Sequence, residues 1–142
     1  MFQGRSALAI DAKGRLAVPT RHRELLQALC GGQLTLTLHV QNCVMIFPRP
    51  EWESFRERIG ALPMSSIGWK RRYLGNAIDV DIDGAGRILV SPELRESAGL
   101  GKSVMLLGMK NHFELWDPEA LKVEEAKLDI AAMPESIQEF VI

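Results

Sequence analysis

The residues best suited to chemistry in this chain come as a unit that occurs twice. Asp11-Ala-Lys13-Gly14-Arg15 leads into the apolar triplet Leu-Ala-Val, and 72 positions later Asp83-Gly-Ala85-Gly86-Arg87 leads into Ile-Leu-Val. Between two strands such a unit has a physical logic: the Asp carboxylate accepts backbone N–H groups across the turn, the glycine supplies a positive φ, and the arginine leaves at the edge of the loop. A guanidinium carries a planar fork of donors that matches a phosphate or the O6/N7 edge of guanine. The first copy adds Lys13, and Arg5, Arg21 and Arg23 follow in the same stretch, so residues 1–23 hold five cations and one acid. The second copy has Ala85 where the first has Lys13, Glu93 and Arg95 where the first has Arg21 and Arg23, and the acids Asp79, Asp81 and Asp83 run up to the loop. The first loop, with Asp11, Lys13, Gly14, Arg15, Arg21, Arg23 and Arg5, is therefore the expected polyanion contact. Asp83, Gly86 and Arg87 are expected to form a structural turn that repels phosphate.

The elements that must hold these loops repeat as well. Alternating runs at 7–10 and 78–82 precede the two units, and helix-start signals follow them. Thr20 and Ser91 are placed to cap helices over 21–30 and 93–98, Pro92 suits a first helical position, and Gly31 and Gly99 suit left-handed C-terminal caps. Strands are expected at 34–38 and 43–47 in the first copy and at 104–108 and 113–116 in the second. Pro50-Glu51 and Pro118-Glu119 then each open a helix. Trp52, Phe55 and Ile59 make an apolar stripe at helical spacing, read as packing. Residues 61–76 carry the basic run Lys70, Arg71 and Arg72, which suits a solvated helix face or a phosphate contact. Each copy spans only about 50 residues, too few to bury a comfortable core alone, so the halves are expected to share one. The expected architecture is α+β, mainly β: a pseudo-twofold barrel whose strands pair across the copies, with flanking helices.

The chain has 142 residues, 46% of them apolar and 25% charged, the profile of an ordinary globular protein. Its longest apolar runs, 43–47 and 104–107, fall far short of the roughly 20 residues of a membrane helix. The first six residues resemble no secretory leader, so a cytoplasmic location is expected. The formal charge of −1 conceals a dipole. Residues 1–72 carry 11 Lys and Arg against 5 Asp and Glu, whereas residues 73–142 carry 6 against 13. A basic half of this kind suits a polyanion, and an acidic half suits solvent or another subunit's basic half. Cys30 and Cys43 fit no paired metal spacing and no disulfide framework, and read as reduced, partly buried thiols. His22, His39 and His112 have no partner at ligand spacing, His112 and Glu114 alternate as on a strand face, and neither an H-E-x-x-H nor a P-loop occurs. No catalysis, metal or cofactor is expected.

The opening M-F-Q-G, the motif D-A-K-G-R-L-A-V-P-T-R-H-R, the later F-P-R-P-E-W, the second motif D-G-A-G-R-I-L-V-S-P-E-L-R and the stretch V-M-L-L-G-M-K-N-H-F-E-L-W occur in that order. Together they resemble the MraZ family of transcriptional regulators over residues 1–117. The resemblance implies two tandem SpoVT-AbrB-like, swapped-hairpin repeats, at 5–51 and 77–120, with a helical connector at 52–76 and an acidic helical tail at 121–142. It implies a nucleoid-associated homo-oligomeric ring, typically octameric, that binds double-stranded DNA at short direct repeats upstream of its own division and cell-wall operon, usually as a repressor. It also carries the DNA contact to Asp11–Arg15, with Arg15 leading. The alternative is an antitoxin-type protein-interaction module of the same fold, whose acidic tail docks another protein.

Overall fold

The computed structural model describes residues 1–141; Ile142, the end of the expected acidic tail, lies outside the described residues. The elements run β1 (Phe2–Ala9), β2 (Arg15–Ala17), α1 (Thr20–Cys30), β3 (Gln33–Leu38), β4 (Val44–Pro48), α2 (Arg49–Gly60), α3 (Ile67–Gly75), β5 (Ile78–Asp81), β6 (Arg87–Leu89), α4 (Pro92–Ser97), β7 (Ser103–Lys110), β8 (Phe113–Trp116), α5 (Pro118–Glu125) and α6 (Glu135–Val141). The mixed α+β character agrees with the sequence reading. No helix among the described residues is long and apolar enough to cross a membrane.

Strand pairing follows the internal repeat. Six strands form one antiparallel sheet in the order β1-β7-β8-β4-β3-β5, and β2 pairs with β6 in a separate two-stranded ribbon. Exchanging each strand for its repeat mate, β1 for β5 and β3 for β7, β4 for β8, reverses the sheet order and leaves it unchanged. The outer strand of each half therefore lies against the hairpin of the other half: β1 pairs along its length with β7, and β5 with β3. The central seam, β4 against β8, joins the two copies directly. The sequence predicts a closed barrel, but the sheet is open, with β1 and β5 as its edges, and no barrel closure is present among the described residues. The three-residue β2 and β6 are too short to carry a ladder from one edge to the other.

One face of the sheet packs on the ribbon, α1 and α4. Leu16, Leu26, Leu34, Leu36, Ile88, Val90, Leu94, Val104, Leu106 and Leu115 are buried there, drawn from both copies. Fully burying a side chain of this kind stabilises by about 1.5–3 kcal/mol, so neither half retains its core without the other. The opposite face is covered by α2, α3 and α5. The stripe of α2 meets Phe47 of β4, with ring centroids 5.7 Å away for Trp52 and 5.0 Å for Phe55, and Phe55 continues to Tyr73 of α3 at 5.2 Å. Leu121 of α5 packs with Trp116 and Cys43.

Helix termini mostly follow the expected signals. Ser91 Oγ accepts from Leu94 N at 3.3 Å at the start of α4, and Gly31, at φ 62°, closes α1. Thr20 departs from expectation. Pro19 occupies the N-cap of α1 and leaves Thr20 inside the first turn, where its hydroxyl accepts from Arg23 Nη2 at 2.9 Å instead of capping.

Candidate nucleic-acid interface

The two D-x-x-G-R loops adopt one geometry. Gly14 N donates to Asp11 O at 2.9 Å, while Asp11 Oδ1 accepts from the amides of Lys13 at 2.9 Å and Arg15 at 2.8 Å. In the second copy Gly86 N donates to Asp83 O at 3.0 Å, and Asp83 Oδ1 accepts from Ala85 N and Arg87 N, each at 2.9 Å. The Arg15 amide above all, then the Arg15 guanidinium and the Lys13 amide, hold the Asp11 carboxyl below the usual carboxylate range. The Arg87 amide leads the same effect at Asp83. Both carboxylates are thus fixed as anions at neutral pH.

Glycine is required in both loops on two counts. Gly14 and Gly86 have φ of 85° and 77°. Each also sits under an arginine of the other copy: a Cβ on Gly14 would lie 2.9 Å from Arg95 Nη2, and one on Gly86 would overlap the Arg23 guanidinium. Arg95 donates Nε to Val90 O at 3.0 Å. Val18 N donates to Gly86 O and Val90 N to Gly14 O, so each loop is tied to the strand that follows its counterpart.

The ribbon sets its two arginines on one surface. In the β2–β6 register Arg15 faces Leu89, Leu16 faces Ile88 and Ala17 faces Arg87. Leu16 and Ile88 point into the core, so Arg15 and Arg87 share the outward face on a diagonal, with side chains 31% and 33% exposed. Asp11 lies between them. Its Oδ2 accepts from Arg15 Nε at 3.0 Å and stands 3.9 Å from Arg87 Nη1. Arg87 Nε is buried without a hydrogen bond, 3.6 Å from Asp83 Oδ2.

The remaining sequence candidates divide. Lys13 is exposed at the loop tip, with no side-chain partner among the described residues. Arg21 is exposed, donating to Ser6 Oγ at 2.9 Å and His22 Nε2 at 3.3 Å. Arg23 is folded onto Gly86 with its Nε buried, and Arg5 forms a two-point ion pair with Glu125 of α5, at 2.8 and 2.5 Å. Neither of these two guanidiniums projects freely. Of the connector's basic run, Arg72 turns inward onto His39 O and Asn42 Oδ1, so it fits neither a solvated face nor a phosphate contact, whereas Arg71 is exposed. Arg87, expected from the sequence only as part of a structural turn, stands on the same outward face as Arg15. The acids thought to disqualify its loop are partly engaged elsewhere: Arg49 lies 3.5 Å from Asp79 and 4.0 Å from Asp81, and Thr35 donates to Asp79 at 2.7 Å. The repeat symmetry itself carried the signal, since equivalent loops on a paired ribbon present equivalent arginines.

This small α+β chain sets two mated turns and an outward pair of arginines on one surface, the features of a surface that binds. The chain belongs to the MraZ family, described as "MraZ protein, putative antitoxin-like", whose model matches residues 1–68 and 73–136. It is 63% identical over 140 residues to the transcriptional regulator MraZ of Acidovorax sp. (strain JS42), covering 99% of each chain. The proteins of that name from Variovorax paradoxus (strain S110) and Delftia acidovorans (strain DSM 14801 / SPH-1) are 61% and 60% identical, with the same coverage. The role these relatives are named for is the regulation of transcription.

Proposed function

We propose that this chain is a sequence-specific DNA-binding transcriptional regulator whose reading element is the β2–β6 ribbon. The observation that carries the proposal is the shared outward face of Arg15 and Arg87, each braced by the carboxylate of its own loop. The DNA major groove admits a two-stranded β-ribbon, and an arginine fork is suited to the O6/N7 edge of guanine. Asp11 and Gly14 hold Arg15 at the tip, Lys13 meets phosphate, and Arg21 adds sequence-independent attraction. Arg5 and Arg23 act at one remove, Arg5 once Glu125 releases it and Arg23 by bracing the Gly86 turn.

In this reading residues 5–51 and 77–120 are tandem SpoVT-AbrB-like repeats in a swapped-hairpin arrangement, joined by the connector 52–76 and followed by the tail 121–142. The crossed pairing of β1 with β7 and β5 with β3 supports that arrangement. One ribbon binds weakly. A homo-oligomeric ring of octamer type presents several ribbons to short direct repeats upstream of its own division and cell-wall operon, makes later contacts effectively intramolecular, and represses from the nucleoid.

The test is a titration of the purified protein against DNA from upstream of its own gene, using probes with one repeat and with three. The three-repeat probe should bind tighter by orders of magnitude. Equal affinity for both probes would refute the multivalent mechanism. Failure to bind either, together with copurification of a stoichiometric protein partner, would favour the antitoxin-type module.

A further inference from the structure

We propose that His39, Cys43 and Glu114 form a binding site for a transition-metal ion of the zinc class, on the seam between the two repeats. The site lies on the sheet face opposite the main core, away from the ribbon, and the proposal is independent of the DNA-binding reading. His39 follows β3 and Cys43 precedes β4, the two bracketing a hairpin turn in which His39 N donates to Cys43 O at 2.9 Å. Glu114 comes from β8 of the other copy, paired with Met45. Side chains alternate along strands, so Cys43 and Glu114 point to the same face, and one potential ligand atom from each of the three residues lies within 4.8 Å of the others. Bonds of about 2.0–2.3 Å in a tetrahedral zinc centre separate neighbouring ligands by roughly 3.3–3.8 Å.

The donor set is selective. A thiolate and an imidazole with one carboxylate suit zinc and its neighbours, whereas magnesium and calcium take oxygen cages. Two donors separated by three residues across a turn match the spacing of zinc ligand pairs. With three protein ligands a fourth position stays open for water. A bound dication would balance the charges of the Cys43 thiolate and Glu114.

The neighbours leave the donors available. Cys43 is fully buried, and Cys30, the other cysteine, donates to Leu26 O within its own helix. Glu114 accepts from Trp116 Nε1 at 2.9 Å through Oε1, and its Oε2 has no hydrogen-bond partner among the described residues. The nearby cation Arg72 is spent on His39 O, at 2.7 and 3.0 Å, and on Asn42 Oδ1 at 2.6 Å, and makes no ion pair with Glu114 among the described residues. The partner of His39 Nδ1, the Gln41 amide at 3.1 Å, sits in an exposed turn where water can replace it. Because ligands come from both repeats, an ion here would cross-link β4 to β8 at the centre of the sheet.

The test uses untagged, reduced, chelator-stripped full-length protein titrated with Co²⁺ and then with Zn²⁺. One Co²⁺ should bind per chain with thiolate-to-cobalt charge-transfer absorption, Zn²⁺ should displace it, and Zn²⁺ should raise the melting midpoint. C43S should abolish the charge-transfer band. H39Q, at a half-exposed turn position, should keep the wild-type circular dichroism and lose at least the roughly 10–100-fold in affinity that an outer partner alone is worth. Absence of stoichiometric binding by the wild type would overturn the proposal, as would binding that H39Q leaves unchanged or cobalt spectra without sulfur character.

Discussion

Replacing Arg15 by alanine and by lysine separates base reading from charge. A bidentate arginine–guanine contact is worth about 1–3 kcal/mol, so Arg15→Ala should weaken specific binding about 5–150-fold for each ribbon engaged. With two ribbons on one DNA the losses multiply, to a total on the order of 25-fold to 10⁴-fold. Arg15 packs at the ribbon surface and not in the core, so the fold and the proposed oligomer should persist. Arg15→Lys keeps the positive charge and loses the fork, and should lose nearly as much specificity as alanine while holding its affinity for random-sequence DNA. Asp11→Asn refines the test. An asparagine oxygen can still accept the two amides of the turn but releases the Arg15 Nε now held at 3.0 Å. The arginine then becomes mobile, so specific affinity should fall while random-sequence affinity rises with the removed negative charge. The assay is fluorescence anisotropy on a promoter probe and a scrambled probe over a series of salt concentrations. Full specific affinity in Arg15→Lys, or an equal loss on both probes in Arg15→Ala, would refute base reading by this side chain.

Three further outcomes rest on particular contacts. Gly86→Ala must hold a φ of 77° and displace the Arg23 guanidinium, so it should destabilise by at least about 1–2 kcal/mol, read as a melting midpoint lower by several degrees. His22 is held between Phe2 and Phe113, with ring centroids 5.8 and 4.9 Å away, and burial, helped by Arg21, pushes its pKa below 6.5. The folded state therefore disfavours the imidazolium: the stability contributed by neutral His22 is fully present above pH 6.5 and is lost as pH falls through that value towards the depressed folded pKa. Urea denaturation in that window should show stability rising with pH, and His22→Gln should flatten the slope. Glu125→Gln frees Arg5 from its ion pair, and should tighten binding to any DNA and steepen the salt dependence by about one unit; an unchanged slope would place Arg5 off the DNA path.

Local rules made much of this fold readable. The positive φ of Gly14 and Gly86, the Asp-to-amide bonds of both turns, the Ser91 cap and the packing of Trp52 and Phe55 on the sheet all follow from residue type and short spacing. What escaped depends on contacts far apart in sequence. Arg23 looked like a free cation because Gly86, the surface it covers, lies in the other copy. Arg5 looked free because its partner Glu125 stands 120 positions away. Arg72 looked solvated until the β3–β4 turn was folded against it. Glu114 as a partner of His39 and Cys43 was hidden for the same reason, since it comes from a strand of the other repeat, whereas the three-residue spacing of His39 and Cys43 across one turn stands in the sequence itself.

The crossed pairing also explains why the ribbon tolerates such different loops. Arg23 of the first copy braces Gly86 of the second, and Arg95 of the second braces Gly14 of the first, while each loop carbonyl accepts from the strand that follows its counterpart. Neither turn is a local structure that could be mutated in isolation, and each arginine on the outward face is positioned by residues of both copies. Divergence is therefore free to act on side chains that point away from the shared framework, Lys13 against Ala85 at the loop tips. Residues that pass between the halves are held in place by steric demands that neither half sets alone.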